Sequence, residues 1–465
     1  MSARAGRFPL TAHVAAFAAG LRFDDLPAEV VETGRTHILD TLGLALSGAA
    51  AQPSPIIRRY LAGLCGEAGE SRVLGSELRV APRFAAFANA TAMHVDDFDD
   101  TNVPASAGWA GGVHASVSVL AAALAVAERE GAPGAELTVA YHVGTEIVAK
   151  LNAAMSQRHY ESGFHTTGTL NGFGAAAAAA RLMRADATAI ARAFGLAASQ
   201  SSGLRANFGT MAKPFHAGHA AECGVVSADL AALGFTAAEN VLEAEQGFFI
   251  ASAGGYDEAA MIDKLGRPWA LIEPGSWLKP FPSGAVSHPG MTLMADLVAE
   301  HDIDPGEVAK VAVTTNQRFM SVLAFKRPAD ATQAKFSLPF GLAAILLRRR
   351  AGLAEYTDAF VDAPETRAMI GRIEHRAYAQ PEPGYSNATT LIDVEMKDGR
   401  VIHGRADYGR GSPQRRMSFE DVAEKFRGCA AHVEWPRERV ESVIQFVREL
   451  ERLPDIRIIT AALAR

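Results

Sequence analysis

The chain has 465 residues, of which 49% are hydrophobic and 21% are charged. This much apolar material in a chain of this length buries a large core, which excludes a mainly disordered protein. The net charge of −7 gives no global basic field to hold nucleic acid or an anionic membrane. Only three cysteines occur, without a pairable spacing, so we expect no disulfide framework and a cytoplasmic location.

The N-terminal segment is alanine-rich and could imitate a signal peptide. However, Leu10, Val14, Phe17 and Leu21 are spaced by 4, 3 and 4 residues, which is typical of an amphipathic helix. The longest apolar run, 115–127, is shorter than the roughly 20 residues that a membrane helix needs. We therefore expect an ordinary first helix and no membrane span.

The first 265 or so residues are predicted to form successive helices, followed by a change of character near Gly266. After the first helix and one beginning at Pro27, the helical windows are 81–93, 115–130, 136–155, 174–184, 187–199 and 217–233. Their many Ala, Gly and Ser residues predict close helix packing.

Five prolines between 268 and 289 break the helical pattern, and strand-like segments follow. These segments are 308–315, 372–378, 389–396 and 400–407, with a helical window at 336–348. The last two flank Lys397-Asp398-Gly399, a hairpin signal. Since the chain becomes helical again after Ser418, we predict a mainly α fold. It has a large all-helical domain (1–269 and 412–465) and a smaller α+β domain (270–411).

An acidic segment places four aspartates within residues 96–100. One interpretation is a solvated loop with an N-capping aspartate. A second is a magnesium site of the D-D-x-x-D kind, as in helical diphosphate-using enzymes, although no second aspartate-rich helix is found. A third is that one aspartate orients a histidine or takes part in acid/base chemistry.

Seven of the 14 histidines lie between residues 94 and 219. His165 stands between Gly163 and Gly168, where an imidazole could move a proton near neutral pH. The alternative is a loop histidine whose neighbouring threonines cap a helix starting at Asn171. His114 likewise precedes a helix. No H-E-x-x-H or H-x-H spacing supports a metal site, so none is expected.

Lys213 and Lys279 each precede a proline, and a pair of such lysines suits an anionic substrate with several carboxylates. The sequence contains no Walker loop, no G-x-S-x-G and no G-x-G-x-x-G between a strand and a helix. We therefore expect no nucleotide or other cofactor.

Several motifs taken together resemble the MmgE/PrpD family. They are the segments 94–101, 163–169, 172–176, 213–218, 245–248, 279–283 and 334–338, with His114 and His288. The family includes 2-methylcitrate dehydratase, iminodisuccinate epimerase and cis-aconitate decarboxylase, and the stretch 207–211 looks most like the epimerase branch. The resemblance implies that the α+β domain is a lid, that the protein is a homodimer, and that a metal-independent site lies between the domains.

The resemblance also implies the residues of the site. The catalytic set is Asp97, His114, His165, Lys213 and Lys279, and substrate contacts are expected from Lys213, Lys279, Ser283, His288 and Thr169. In this hypothesis the lysines hold carboxylates and stabilise enolate-like charge, His165 moves the proton with His114 as its partner, and Asp97 orients an imidazole.

Three departures from the family pattern bear on the reaction. Thr166 stands where a proline usually follows the histidine, and Gly284 and Phe340 replace a histidine and a tyrosine. The last two point away from cis-aconitate decarboxylation. We therefore expect a lyase or isomerase of a small di- or tricarboxylate, with dehydration of a 2-methylcitrate-like substrate first. Epimerisation of an iminodisuccinate-like substrate is the alternative, ahead of decarboxylation and of a non-catalytic carboxylate binder.

Overall fold

The computed structural model describes residues 8–64, 69–103 and 111–465, and Cys65 lies outside them. The helices are α1 (Leu10–Gly20), α2 (Ala28–Ala50), α3 (Pro53–Leu64), α4 (Pro82–Val95), α5 (Ala115–Glu130), α6 (Gly134–Ala154), α7 (Gln157–Glu161), α8 (Thr166–Leu182), α9 (Ala187–Gln200), α10 (Ala212–Ala232), α11 (Phe248–Ala253), α12 (His288–His301), α13 (Gln317–Val322), α14 (Ala331–Ala334), α15 (Leu338–Arg348), α16 (Asp358–Asp362), α17 (Pro364–Gly371), α18 (Phe419–His432), α19 (Arg437–Arg448) and α20 (Arg457–Ala462). The strands are β1 (Ser71–Arg72), β2 (Arg79–Val80), β3 (Thr101–Asn102), β4 (Ser276–Trp277), β5 (Val308–Thr315), β6 (Ile373–Ala377), β7 (Thr390–Met396) and β8 (Val401–Ala406).

The chain divides into two compact units. The first contains residues 1–95, 99–276 and 418–465, and the second contains 96–98 and 277–417. The predicted mainly α fold with a smaller α+β part is confirmed. The boundaries after residues 276 and 417 fall a few residues later than the sequence-based ones. No sequence pattern indicates that residues 96–98 group with the second unit.

The first unit is built around α8, which packs against α5, α6, α9 and α10. All six alanines of 175–180 are buried in this helix. Gly224 of α10 is needed for the close approach, because a Cβ there would lie 2.3 Å from the Cβ of Ala175. Methyl groups and glycines thus set the helix spacing, as the composition predicts. The unit is mostly rather than wholly helical, since the two-residue strands β1 and β2 pair antiparallel.

The second unit contains a four-stranded sheet with the order β6-β5-β7-β8. Strand β5 is parallel to β6 and antiparallel to β7, and β7 pairs antiparallel with β8. The β7–β8 pair is the predicted hairpin around Lys397-Asp398-Gly399, and Gly399 has the positive φ of 88° that its tight turn requires. Helix α12 packs against α15 and against strands β7 and β8.

Two helices begin earlier than the sequence pattern indicates. Helix α8 starts at Thr166 rather than at 171 or 174, which makes His165 its N-terminal flanking residue. Helix α10 starts at Ala212, so Lys213 lies in its first turn. Glycines and threonines weaken local helix propensity at the start of α8, but burial of this turn overrides that preference. No helix among the described residues has both the length and the apolar character needed to cross a membrane.

Candidate active site

A carboxylate in the first unit contacts two imidazoles. Oδ2 of Asp99 lies 2.9 Å from Nδ1 of His94 and 3.0 Å from Nδ1 of His114. His94 comes from the last turn of α4, and His114 directly precedes α5. The rings of the two histidines are 4.7 Å apart. The C-terminal end of α4 and the N-terminal end of α5 therefore bring two imidazoles together with the carboxylate in the interior.

The hydrogen bonds of this group fix where the imidazole protons lie. Nδ1 of His114 is 2.8 Å from the backbone oxygen of Asp100, which can only accept, so Nδ1 carries the proton. Burial acts to raise the pKa of Asp99, but the two imidazoles outweigh it and hold that pKa well below its usual range. The ionised Asp99 therefore accepts from Nδ1 of His94 as well. In their neutral forms, both histidines therefore have Nε2 as the unprotonated, basic atom.

His94 and His165 are both held in the neutral state at pH 7. Burial lowers the pKa of His94 to about 4, although Asp99 acts to raise it and Lys213 lowers it further. Burial, and then the charge of Lys213, hold the pKa of His165 well below its usual range. The two rings lie nearly parallel, with centroids 6.1 Å apart. Neutral imidazoles can accept protons.

His165 is positioned by its backbone and by a second imidazole. Its backbone N–H donates to the carbonyl of Gly203 at 3.0 Å. Its Nδ1 lies 3.1 Å from Nδ1 of His216, so one of these two nitrogens donates to the other. The ring of Phe208 packs edge-on at 4.9 Å. These contacts leave the His165 ring little freedom to turn.

Lys213 supplies the positive charge of the cluster. It is a buried residue, and its ammonium lowers the pKa values of His94, His165 and His216. A positive potential among neutral imidazoles attracts an anion and stabilises negative charge that develops on it.

Thr169 lies one turn after His165 on α8 and is hydrogen-bonded to another histidine. Its hydroxyl is 2.8 Å from Nε2 of His159, whose Nδ1 is 3.1 Å from the backbone oxygen of Ser252. Because that carbonyl can only accept, Nδ1 of His159 donates to it and Nε2 accepts the Thr169 proton. Both residues line a cavity of about 350 Å³ that also borders Phe164.

In the second unit, Lys279 and Asp97 form a buried ion pair. The Lys279 ammonium donates to the Asp97 carboxylate and to its backbone oxygen, each at 2.9 Å. Asp97 has a positive φ of 51°, and the adjacent Asp96 lies 3.7 Å from Lys335. The acidic segment is therefore compensated in part by two lysines of the second unit.

Ser283 and His288 lie at the turn that leads into α12, and both are buried. The Ser283 hydroxyl is 2.8 Å from that of Ser287. Nε2 of His288 donates to the backbone oxygen of Ser283 at 3.1 Å. The bond to a backbone carbonyl fixes the orientation of the His288 ring.

The predicted site residues thus fall into two groups. His114, His165 and Lys213 lie together in the first unit, with Thr169 one turn further along α8, and Asp97, Lys279, Ser283 and His288 belong to the second. Two further residues, His94 and Asp99, join the first group. The sequence placed both in the histidine- and aspartate-rich segment, but no signal distinguished Asp99 from its neighbours. In the structure it is Asp99 that contacts the imidazoles, whereas Asp97 contacts Lys279.

The imidazoles of His94 and His114 and the carboxylate of Asp99 could together hold a metal ion. Among the described residues, one donor atom from each of His94, Asp99 and His114 lies within 4.8 Å of the others. Two imidazoles and one carboxylate are ligands suited to zinc or ferrous iron. In the present arrangement, both Nδ1 atoms are engaged by Asp99.

The three departures occupy different surroundings. The Thr166 hydroxyl donates to the backbone oxygen of Gly112 at 2.7 Å. Phe340 is fully buried, with its ring edge-on to Tyr356 at 5.0 Å. A Cβ at Gly284 would meet its nearest neighbour, the Phe336 ring, at 3.6 Å, which is ordinary contact.

A mostly helical unit with a buried imidazole–carboxylate–lysine cluster, joined to an α+β unit, defines the class of protein. The chain belongs to the MmgE/PrpD family: the MmgE/PrpD N-terminal domain matches residues 12–259, and the C-terminal domain matches residues 281–451.

Curated relatives match along almost the whole chain. Cis-aconitate decarboxylase of Homo sapiens is 29% identical over 457 residues, covering 96% of this chain and 92% of that protein. The enzyme of Mus musculus is 26% identical, with 96% and 91% covered. That of Aspergillus terreus (strain NIH 2624 / FGSC A1156) is 24% identical, with 96% and 94% covered. These matches support an enzyme of the same family. The relatives are named for cis-aconitate decarboxylation, a reaction that the sequence motifs favour less than dehydration and epimerisation.

Proposed function

We propose that the protein is an acid/base lyase or isomerase of a small di- or tricarboxylate. One observation carries the proposal: His114 is fixed by Asp99 and Asp100 with its proton on Nδ1, which leaves Nε2 as a base, in one cluster with His94 and His165, the two imidazoles on which the Lys213 charge acts. A base next to a cation suits removal of a proton from the carbon adjacent to a carboxylate.

In the proposed reaction, Nε2 of His114 takes the proton from that carbon, and the electron pair moves into the adjacent carboxylate to give an enolate-like anion. Lys213 stabilises the new negative charge. The pair then returns to form a carbon–carbon double bond while the β-hydroxyl leaves, and the proton taken up by His114 passes through His165 to the hydroxyl and makes it water. This balances as a dehydration, and a 2-methylcitrate-like substrate is our first candidate. If the proton instead returns to the opposite face, the result is epimerisation of an iminodisuccinate-like substrate.

Decarboxylation of cis-aconitate is the second candidate, and the names of the relatives favour it. That reaction breaks a carbon–carbon bond and needs a proton donor at carbon. Phe340 and Gly284, which lack a polar side chain at the positions of the expected tyrosine and histidine, argue against it. Both candidates involve the same substrate class and the same cationic cluster.

The test is incubation with 2-methylcitrate, citrate, cis-aconitate and iminodisuccinate in D₂O with EDTA, followed by proton NMR. New vinyl signals without CO₂ release indicate dehydration, and deuterium at the α-carbon without a new product indicates epimerisation. Release of CO₂ from cis-aconitate indicates decarboxylation. If all four compounds remain unchanged, the enzymatic proposal fails, and a carboxylate binder takes its place.

Two variants test the assigned residues. We expect Lys213→Ala and His165→Ala each to abolish turnover while leaving the circular dichroism spectrum unchanged. His301→Ala is the matched control, since this side chain is exposed at the end of α12. Full activity in both site variants would remove the assignment.

A further inference from the structure

A cavity of the second unit is lined by an excess of positive side chains. Its volume is about 530 Å³, within the range of about 300–1,000 Å³ that is typical of small-molecule sites. The described residues that line it include one acid, Glu374, and four cations, namely Lys310, Lys326, Arg327 and Arg372. This local excess contrasts with the net charge of −7 of the whole chain. A cationic concave surface focuses its field and raises the local concentration of small anions.

Two of the four cations are available to pair with a ligand. Lys326 and Arg327 are exposed, and neither forms an ion pair with another residue in the described part of the chain. An anion in the cavity therefore gains their attraction without breaking an existing ion pair. Lys310, by contrast, already contacts the carboxylate of Glu374 at 2.9 Å.

The remaining polar groups of the cavity wall are held in place. Nη1 of Arg372 donates to the backbone oxygen of Val308 at 2.8 Å, which fixes its guanidinium. His375 is buried, and its Nε2 lies 2.8 Å from the hydroxyl of Thr315. Burial lowers the pKa of His375 to about 4, and the charge of Lys326 acts in the same direction. The ring is therefore neutral at pH 7, and the field of Lys326 reaches the buried part of the wall.

We infer that this cavity is a second ligand site, which binds the pyrophosphate group of a small molecule with Lys326 and Arg327 as its main contacts. Lysine binds phosphate as a point charge, whereas carboxylates are matched best by the fork of a free guanidinium. Of the two guanidiniums here, that of Arg372 is already engaged by a backbone carbonyl. The inference does not rest on the proposed function, because none of these residues belongs to the candidate active site.

The charge distribution of the ligand supports the same choice. A pyrophosphate group carries its charge on two adjacent phosphates, so all the cations that line one cavity act on the same small volume. The charge of a tricarboxylate is spread along a carbon chain, and fewer of its oxygens come close to each cation.

The experiment measures binding of inorganic pyrophosphate by isothermal titration calorimetry in a buffer without divalent cations. We expect the double variant Lys326→Ala/Arg327→Ala to bind about tenfold more weakly than the wild type, or weaker still, because two charged contacts are lost. Lys397→Ala/Arg400→Ala is the matched control. It removes the same charge from exposed residues at the β7–β8 turn, and its affinity should stay within about twofold of that of the wild type.

A change in the opposite direction makes the test independent of loss of function. Glu374 is exposed and contributes the negative charge of the lining. Glu374→Gln removes that charge and releases Lys310, so pyrophosphate should bind about threefold more tightly, or tighter still.

A saturated tricarboxylate, tricarballylate, tests the chemical class of the ligand. Its affinity should differ by less than about twofold between the wild type and Lys326→Ala/Arg327→Ala. The inference is overturned if the wild type does not bind pyrophosphate, or if this double variant binds it as tightly as the control does. It is also overturned if Glu374→Gln weakens pyrophosphate binding, or if the double variant loses as much affinity for tricarballylate as for pyrophosphate.

Discussion

Replacement of Asp99 by asparagine tests the core of the candidate site with a change of only one atom. The Asp99 carboxylate accepts from Nδ1 of His94 and lies 3.0 Å from Nδ1 of His114, whose proton also faces the backbone oxygen of Asp100. An amide offers one oxygen and one NH₂ group. Because both imidazoles contact the same atom, Oδ2, the variant loses the charge and presents either an amide oxygen or an NH₂ group to both of them.

The size of the effect follows from the contact to His114, the imidazole that takes the proton in the proposed reaction. A hydrogen bond to a charged group contributes about 1.5–3 kcal/mol. Loss of this charge lowers the stabilisation of the imidazolium formed during turnover by up to about 3 kcal/mol, which corresponds to a decrease of up to about 10² in kcat. The pKa of His94, already about 4, should fall further, because Asp99 is the group that raises it.

The assay combines turnover on the substrate identified by NMR with ¹⁵N spectra of the histidine rings. In the wild type, His114 should show its proton on Nδ1, and in Asp99→Asn a part of the population should move it to Nε2. Asp393→Asn is the matched control, because Asp393 contacts His403 at 2.7 Å on the surface. A variant that keeps kcat within about threefold of the wild type and retains the Nδ1 proton would refute the reasoning.

Three further predictions concern stability. Burial lowers the pKa of His142 to about 3, so below pH 6.5 the unfolded chain binds a proton at this residue before the folded protein does. The free energy of unfolding should therefore fall by about 1.4 kcal/mol for each pH unit below 6.5 because of this group. In His142→Phe, urea titrations at several pH values should show a dependence of unfolding free energy on pH that is weaker by that amount. Lys279→Met leaves the buried Asp97 carboxylate without its lysine. We expect the free energy of unfolding in urea to fall by about 3–5 kcal/mol, and the double variant with Asp97→Asn to recover part of this loss. If the losses of the two single variants simply add in the double variant, the pairing is contradicted. Gly224→Ala places its Cβ 2.3 Å from the Cβ of Ala175 and should lower the free energy of unfolding by about 1–3 kcal/mol. In the control Gly172→Ala the nearest neighbour is 3.8 Å away, so stability should change by less than about 1 kcal/mol. Equal effects of the two variants in thermal unfolding would argue against the described packing.

Much of the fold could be predicted because it depends on local patterns. The window 115–130 matches α5, and the segment 308–315 matches β5, since hydrophobic periodicity decides both. The hairpin of β7 and β8 follows from its turn residues. The start of α8 could not be predicted, because its first turn is stabilised by burial rather than by the residues' own helix propensity.

The sequence predicts which types of residue form the candidate site better than it predicts which of these residues contact each other. His114, His165 and Lys213 stand out beside glycines, prolines and helix starts. The choice among the aspartates depends on the backbone path, since Asp97 adopts a left-handed φ of 51° and Asp99 lies two residues further on. Sequence spacing does not reveal such a turn. The family resemblance therefore assigned the imidazole to Asp97, whereas Asp99 contacts the imidazoles in the structure.

The buried alanines of α8 have a consequence for the entropy of the site. Long side chains lose rotamer freedom when a core forms, but the six methyl groups of 175–180 have none to lose. They also have no alternative rotamers through which the folded helix could repack. His165 directly precedes this helix, so its imidazole is attached to a support that has one packing arrangement. The position of the proposed proton-transfer group is thereby set at a low conformational cost.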